Sequence, residues 1–208
     1  APAIQIQAGA KGRKVAEVRE GGLTVPPTDE PGVAIGIGRV DDRTRALVDG
    51  PVDFSVKNAS PLWDLMRLLV AVIRPDLDTG ARFPLAADSR AFLRDTLATR
   101  PAAPVPDDEA AILALEARFK PMPPGVTAAL GDRARYEYVN KAGRAYGFHL
   151  ENAYVRDTRT GRAVFVAAGL YVNANGILND NRYQYDETSY PFLVALGELV
   201  GRAFLADR

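Results

Sequence analysis

The stretch Arg135–Val172, RYEYVNKAGRAYGFHLENAYVRDTRTGRAVFVAAGLYV, decides the fold. Its first part, RYEYVNKAG (Arg135–Gly143), alternates apolar and polar residues as a half-buried strand does. The second, GFHLENAYVRD (Gly147–Asp157), reads as another strand. The third, AVFVAAGLYV (Ala163–Val172), is nearly continuous in apolar residues and is expected at the centre of a sheet. The link Thr158–Arg162, TRTGR, is too short for anything but an antiparallel hairpin. After the polar loop NANGILNDNRYQYDETS, Thr188 or Ser189 is placed to cap a closing helix. Its apolar residues Phe192, Leu193, Leu196, Leu199, Val200 and Phe204 recur at helical spacing. Residues 131–208 therefore predict an antiparallel sheet with a C-terminal helix on one face, an α+β fold.

Upstream, residues 59–130 read as a helical segment. Ser60-Pro61 opens a helix whose residues Leu62–Ile73 are apolar around most of the circumference, so it is expected to be buried, Trp63 included, and Pro75 ends it. Asp88 opens a second helix with Phe92, Leu93 and Leu97 on one face. Asp107 and Asp108 open a third, with Ile112, Leu115 and Phe119 spaced for burial, and KPMPPG stops it. Residues 1–58 are rich in Gly and Pro, with short β-type runs at Ala3–Ala8, Lys14–Val18 and Gly32–Val40. The three parts are expected to form one structural unit.

Composition narrows the function. Of 208 residues, 26 are Lys or Arg and 26 are Asp or Glu; with no net charge the chain has no global field for nucleic acid or an anionic membrane. No apolar run approaches the length that crosses a bilayer, and the start APAIQIQAGAKG lacks the regions of a signal peptide. The absence of cysteine rules out disulfides, thiolate metal sites and cysteine nucleophiles. His149 is the sole histidine, so a Ser-His-Asp triad would have to be built from it; a strand histidine is expected to be a packed or edge residue. The loop residues Asn173, Asn175, Asn179, Asp180, Asn181, Asp186 and Glu187 lack an ordered calcium spacing and read as turn formers bonding their own backbone. GVAIGIGRV lacks the third glycine and the following helix of a dinucleotide loop. No metal and no cofactor are expected.

The run NKAGRAYGF, followed by a hairpin, by YVNANGILNDNRYQYD and by a helix starting YPFLVALG, resembles the C-terminal portion of the penicillin-recognising serine hydrolases, the class A β-lactamase-like branch among them. The upstream segments GPVDFSVKNASPLWDL and RPDLDTGARFPLAADSRAFLRDTL are similar to parts that precede the lysine-bearing strand there. The resemblance implies a partial β-lactamase or transpeptidase-like fold and a periplasmic or secreted location. It also implies acyl-enzyme chemistry on an amide, ester or β-lactam bond, and a small-molecule or peptide substrate with a carboxylate. In that family a Lys-Thr/Ser-Gly strand edges the site; the matching positions are Lys141, Ala142 and Gly143, with the Arg144 amide as oxyanion donor. Lys141, Gly143 and Arg144 are thus the expected catalytic residues, and Ala142 and Tyr146 the expected substrate-binding ones. Ala142 lacks the usual hydroxyl, which puts β-lactam recognition in doubt.

The family nucleophile, Ser-x-x-Lys, is missing. Serine occurs at positions 55, 60, 89 and 189, none with lysine three residues later, and Lys57 stands at the wrong spacing from Ser55. The expectation is a C-terminal hydrolase part, inactive alone, whose serine comes from another segment. The alternative is a non-catalytic module that binds a carboxylate-bearing ligand or a partner beside Lys141. Sheet surface left open by a partial fold leads to an expectation of self-association.

Overall fold

The computed structural model describes residues 4–8, 13–18, 34–55, 57, 60–77, 84–102 and 108–206. Strands β1 (Ile4–Ala8) and β2 (Arg13–Val18) come first, then the short strands β3 (Ala34–Ile35), β4 (Gly38–Val40), β5 (Leu47–Asp49) and β6 (Val52–Asp53). Helices α1 (Leu62–Ile73), α2 (Ala87–Ala98), α3 (Glu109–Phe119) and α4 (Pro123–Leu130) follow. Strands β7 (Tyr136–Asn140), β8 (Gly143–Ala145), β9 (Phe148–Asp157), β10 (Ala163–Tyr171) and β11 (Ile177–Leu178) and helix α5 (Tyr190–Val200) complete the chain. Ala3, Gly32, Val33 and Asp107, which entered the predicted strands and helix, lie outside the described residues.

The main sheet is antiparallel throughout, in the order β2-β1-β10-β9-β7, with β8 on the same side of β9 as β7. The fold is α+β, and β10 is interior as its apolar run predicted. The TRTGR hairpin forms, and Asp157 fastens it: its carboxylate accepts the Arg159 N–H at 2.9 Å and the Thr160 hydroxyl at 2.9 Å. Arg135 adds a two-pronged ion pair to the same carboxylate, at 3.2 and 2.8 Å.

Period-two alternation divides the sheet into two faces. Tyr136, Tyr138, Ala153, Val155, Val164, Val166, Ala168 and Leu170 meet Met122, Val126, Leu193, Leu196 and Val200 of the α4–α5 layer. On the opposite face, Val139, Tyr154, Ala167 and Phe165 meet Met66, Leu69, Val70 and Ile73 of α1. The sheet is therefore covered on both faces, where the sequence predicted a helix on one; α1 is apolar around its girth because it lies against the second face.

Asp108 caps α3 through the Ala111 N–H at 3.0 Å. Ser60 makes no cap; its hydroxyl donates to the Pro61 carbonyl. Trp63, expected in the core, is 39% exposed on α1, and Phe92 (70%) and Phe119 (47%) face outward on α2 and α3, neither of which buries a residue fully. KPMPPG ends α3 but also starts α4, since two prolines fit the first helical positions, where no amide is needed. The closing helix begins earlier than predicted, with a π turn at Tyr185–Ser189, and Ser189 bonds within it instead of capping.

Candidate functional site

The predicted site residues lie consecutively on the free edge of the sheet. Asn140 pairs with Ala153 and Gly143 with Leu150, so β7 and β8 form one edge strand in a single register, lapsing at Lys141–Ala142. Across the lapse the Lys141 N–H still donates to the Asn152 carbonyl at 2.9 Å. Ladder alternation then turns the amides of Ala142 and Arg144 away from β9, off the edge. The edge ends in a two-residue turn, Tyr146 (φ 54°) and Gly147 (φ 89°), both left-handed as a type I′ hairpin requires.

Side chains along this edge split between the two faces. Lys141 is exposed on the α1 face, and its ammonium donates to the Ala142 carbonyl at 2.6 Å. Gly143 is exposed, and a Cβ built there would meet nothing within 4 Å. Ala142 is buried on the α5 face. Tyr146 stacks edge-on against Phe54, ring centroids 5.2 Å apart, which ties the N-terminal part to the turn. Arg144 reaches inward: it donates to the Ala117 carbonyl at 2.9 Å and to His149 Nε2 at 3.3 Å, pairs with Asp186 at 3.3 Å, and lies over the Tyr185 ring. Burial lowers its pKa.

Sequence reasoning missed that the fold brings together the sole histidine and one serine. His149 Nδ1 lies 2.7 Å from Ser189 Oγ, both fully buried. A guanidinium has no acceptor, so His149 Nε2 must accept from Arg144 and Nδ1 must carry the proton. That proton goes to Ser189 Oγ, which donates its own to the Tyr185 carbonyl at 3.0 Å. The relay runs from arginine to histidine to serine to carbonyl, opposite to the direction that activates a nucleophile. Burial, then the Arg144 charge, lowers the His149 pKa to about 4, which keeps the ring neutral. The packed reading of His149 fits the structure. Ser55, Ser60 and Ser89 are exposed, on a turn, before α1 and on α2.

A second polar group lies beneath the edge. Lys120, Asn140, Glu151 and Tyr138 are all buried. Lys120 Nζ donates to the Leu97 carbonyl at 2.8 Å and to Asn140 Oδ1 at 2.9 Å; Asn140 Nδ2 donates to the Phe119 carbonyl at 2.8 Å and to Glu151 at 2.9 and 3.2 Å. The signal for these residues lay in β9, whose inward positions run His149, Glu151, Ala153, Val155. Two polar side chains there stand where the period demands apolar ones.

Several Asn and Asp residues of the 173–187 loop bond locally, as expected: Asn175 accepts from the Ile177 N–H and Asp180 from the Arg182 N–H, with Asn179 and Asn181 left-handed; Asp186 instead pairs with Arg144. Among the described residues no group of three or more His, Cys, Asp or Glu is placed to hold a metal ion, and no helix is long and apolar enough to cross a membrane. A groove of 510 Å³ opens between α1, α2 and β7, lined by Val72, Ile73, Arg90, Arg94 and Glu137, with an Arg94–Glu137 ion pair on its polar side. It does not include Lys141–Arg144.

No family model matches the sequence, and no curated protein matches it.

Proposed function

We propose that the chain is a non-catalytic module on a serine-hydrolase-like fold that binds a carboxylate-bearing small molecule or peptide at the Lys141–Arg144 edge. The observation that carries this reading is the edge itself: an exposed ammonium, an uncrowded glycine and an outward amide within four consecutive residues, with no serine poised to attack what binds there. A carboxylate accepts charge-assisted hydrogen bonds from an ammonium and a backbone amide together, and an open glycine lets it approach the main chain. The Lys141 ammonium now satisfied by the Ala142 carbonyl is free to turn to such a ligand, since the side chain is exposed.

A second reading follows from the same residues. The Lys-x-Gly segment and the outward Arg144 amide would serve acyl transfer if a Ser-x-x-Lys helix from another segment faced them, the resemblance extending then to mechanism.

Calorimetric and NMR titration with N-acetyl-D-alanine and with its amide tests the first reading. Binding of the acid, loss of at least tenfold in affinity on Lys141→Ala, and shifts confined to residues 141–147 are expected. Equal binding of acid and amide would remove the carboxylate from the proposal. Incubation with a fluorescent penicillin and a fluorophosphonate is expected to leave the intact mass unchanged; an adduct would make one of the four serines a nucleophile and overturn the module reading.

A further inference from the structure

The buried Lys120–Asn140–Glu151 group has no part in the ligand contacts proposed for the edge, yet it lies directly beneath it. Counting along the shared register, Ala142 stands opposite Glu151, on the same face. The side chain of Ala142 thus separates the Glu151 carboxylate from the edge, at the two residues where β7–β8 pairing lapses. We propose that Glu151 is a proton-controlled latch: protonated, it stays sealed beneath Ala142; ionised, it gains water by opening the Lys141–Arg144 edge.

The surroundings of the carboxylate argue for this. Its oxygens take hydrogen bonds at 2.9 and 3.2 Å from one amide, that of Asn140, which also serves the Phe119 carbonyl; the Asn152 N–H adds only a small pull. From β7, the buried Tyr138 hydroxyl stands close enough to pull on the carboxylate but outside hydrogen-bond geometry with it. From the connection between α3 and α4, Lys120 faces it across Asn140, with its ammonium 5.5 Å from the Tyr138 ring centroid. Arg133 and Glu116 act on Lys120 from farther out, and Tyr136 acts on Tyr138. β10 sets the apolar Ala168 opposite Glu151. An ionised carboxylate normally takes up to four hydrogen bonds, so this site serves the acid better than the anion. Burial accordingly raises the Glu151 pKa to about 7 from 4.5, against the pull of Asn140, Tyr138 and Lys120; desolvation lowers Lys120 to about 8, so it remains charged through the same range.

The closed edge holds the Glu151 proton more tightly than an open, hydrated edge does. Closure is therefore favoured fully below pH 4.5 and loses ground as pH rises, until both forms are ionised above about 7. In the limit of full hydration on opening, the open fraction grows about tenfold per pH unit in that window. A carboxylate ligand on the edge would be held better on the acid side; that consequence alone rests on the proposed function.

The test uses ligand-free protein, so it stands whatever the carboxylate titration shows. Hydrogen exchange is measured by mass spectrometry at pH 5 to 8, corrected for intrinsic rates, comparing peptides covering 138–147 with peptides from α5. Edge opening is expected to rise several-fold to tenfold per unit up to pH 7 and then level off, while α5 stays flat; Glu151→Gln is expected to abolish the slope. A flat edge in the natural protein, an unchanged slope in Glu151→Gln, or an equal slope in α5 would each overturn the latch. Should the glutamine variant not fold, the comparison of edge with α5 in the natural protein decides alone.

Discussion

Ser189 and Asp157 show how one polar atom sets a residue's worth here. Ser189 is the acceptor for the His149 Nδ1–H, and no other acceptor for that proton is present among the described contacts. Ser189→Ala is expected to leave a buried N–H unpaired and lower stability by about 1–3 kcal/mol, measured by urea unfolding. An unchanged midpoint would mean that the relay assigned to His149 is wrong. Asp157 takes donors from Arg135, Arg159 and Thr160, and the Arg135 bonds, foremost, hold its carboxyl well below the usual carboxylate range. A depressed pKa stabilises the fold above the unfolded-state value and is lost as pH falls through the folded one. Asp157→Ala is expected to cost about 3 kcal/mol at neutral pH and to flatten the acid limb of the stability curve below pH 4. An acid limb as steep as in the natural protein would assign that limb to other carboxylates.

At the scale of elements, glycine distinguishes a packing contact from a binding surface. Helices α4 and α5 cross so closely that a Cβ on Gly197 would come within 2.4 Å of the Met122 carbonyl oxygen, and one on Gly125 within 1.8 Å of the Val194 carbonyl oxygen. Backbone on the far side cannot yield as a side-chain tip does, so Gly197→Ala is expected to destabilise by about 2–4 kcal/mol through displacement of the helices. Gly143→Ala, on the open edge, is expected to change stability by less than about 0.5 kcal/mol while weakening N-acetyl-D-alanine binding severalfold. Equal thermal shifts in the two variants would contradict this division. These elements also show what the sequence disclosed. The alternation of β7, β9 and β10 and the TRTGR turn were legible because side-chain period and loop length leave one solution. α4 was not, because PPG reads as a stop when the missing amides of a first helical turn are forgotten. Phe92 and Phe119 sat at helical spacing on α2 and α3, but spacing defines a face and says nothing about whether a partner covers it. Lys141–Arg144 was legible as a segment; the inward polar network behind it depends on which face of β9 looks at α5, and that is fixed by the register with β7 and β10.

Across the whole molecule, the sheet joins segments far apart in the sequence. β1 pairs with β10 from Ile4↔Ala168 to Ala8↔Val164, and β2 lies outside it. Short runs at 3–8 and 14–18 announced strands, but not that the first pairs with β10 some 160 residues away, since pairing over such separation depends on the whole topology. The expectation of self-association through open sheet surface turns on which edges are free. β10 is closed off by β1, which leaves β2 and β7–β8 as the sheet's outer strands, and Arg94 of α2 reaches Glu137 of β7. Removing the β1–β2 hairpin turns β10 into an edge with Val164, Val166, Ala168 and Leu170 along one face, and an apolar strand with unpaired amides pairs readily with another chain. A chain lacking residues 1–18 is therefore expected to form oligomers or precipitate at concentrations where the full chain stays monodisperse by light scattering. Ile6→Pro should do so in part, because proline removes a donor from a strand paired on both sides, at the position opposite Val166 and Ala16. If both variants remained as monodisperse as the full chain, β1 would contribute little to shielding β10, and the β7–β8 edge would become the surface to test for association.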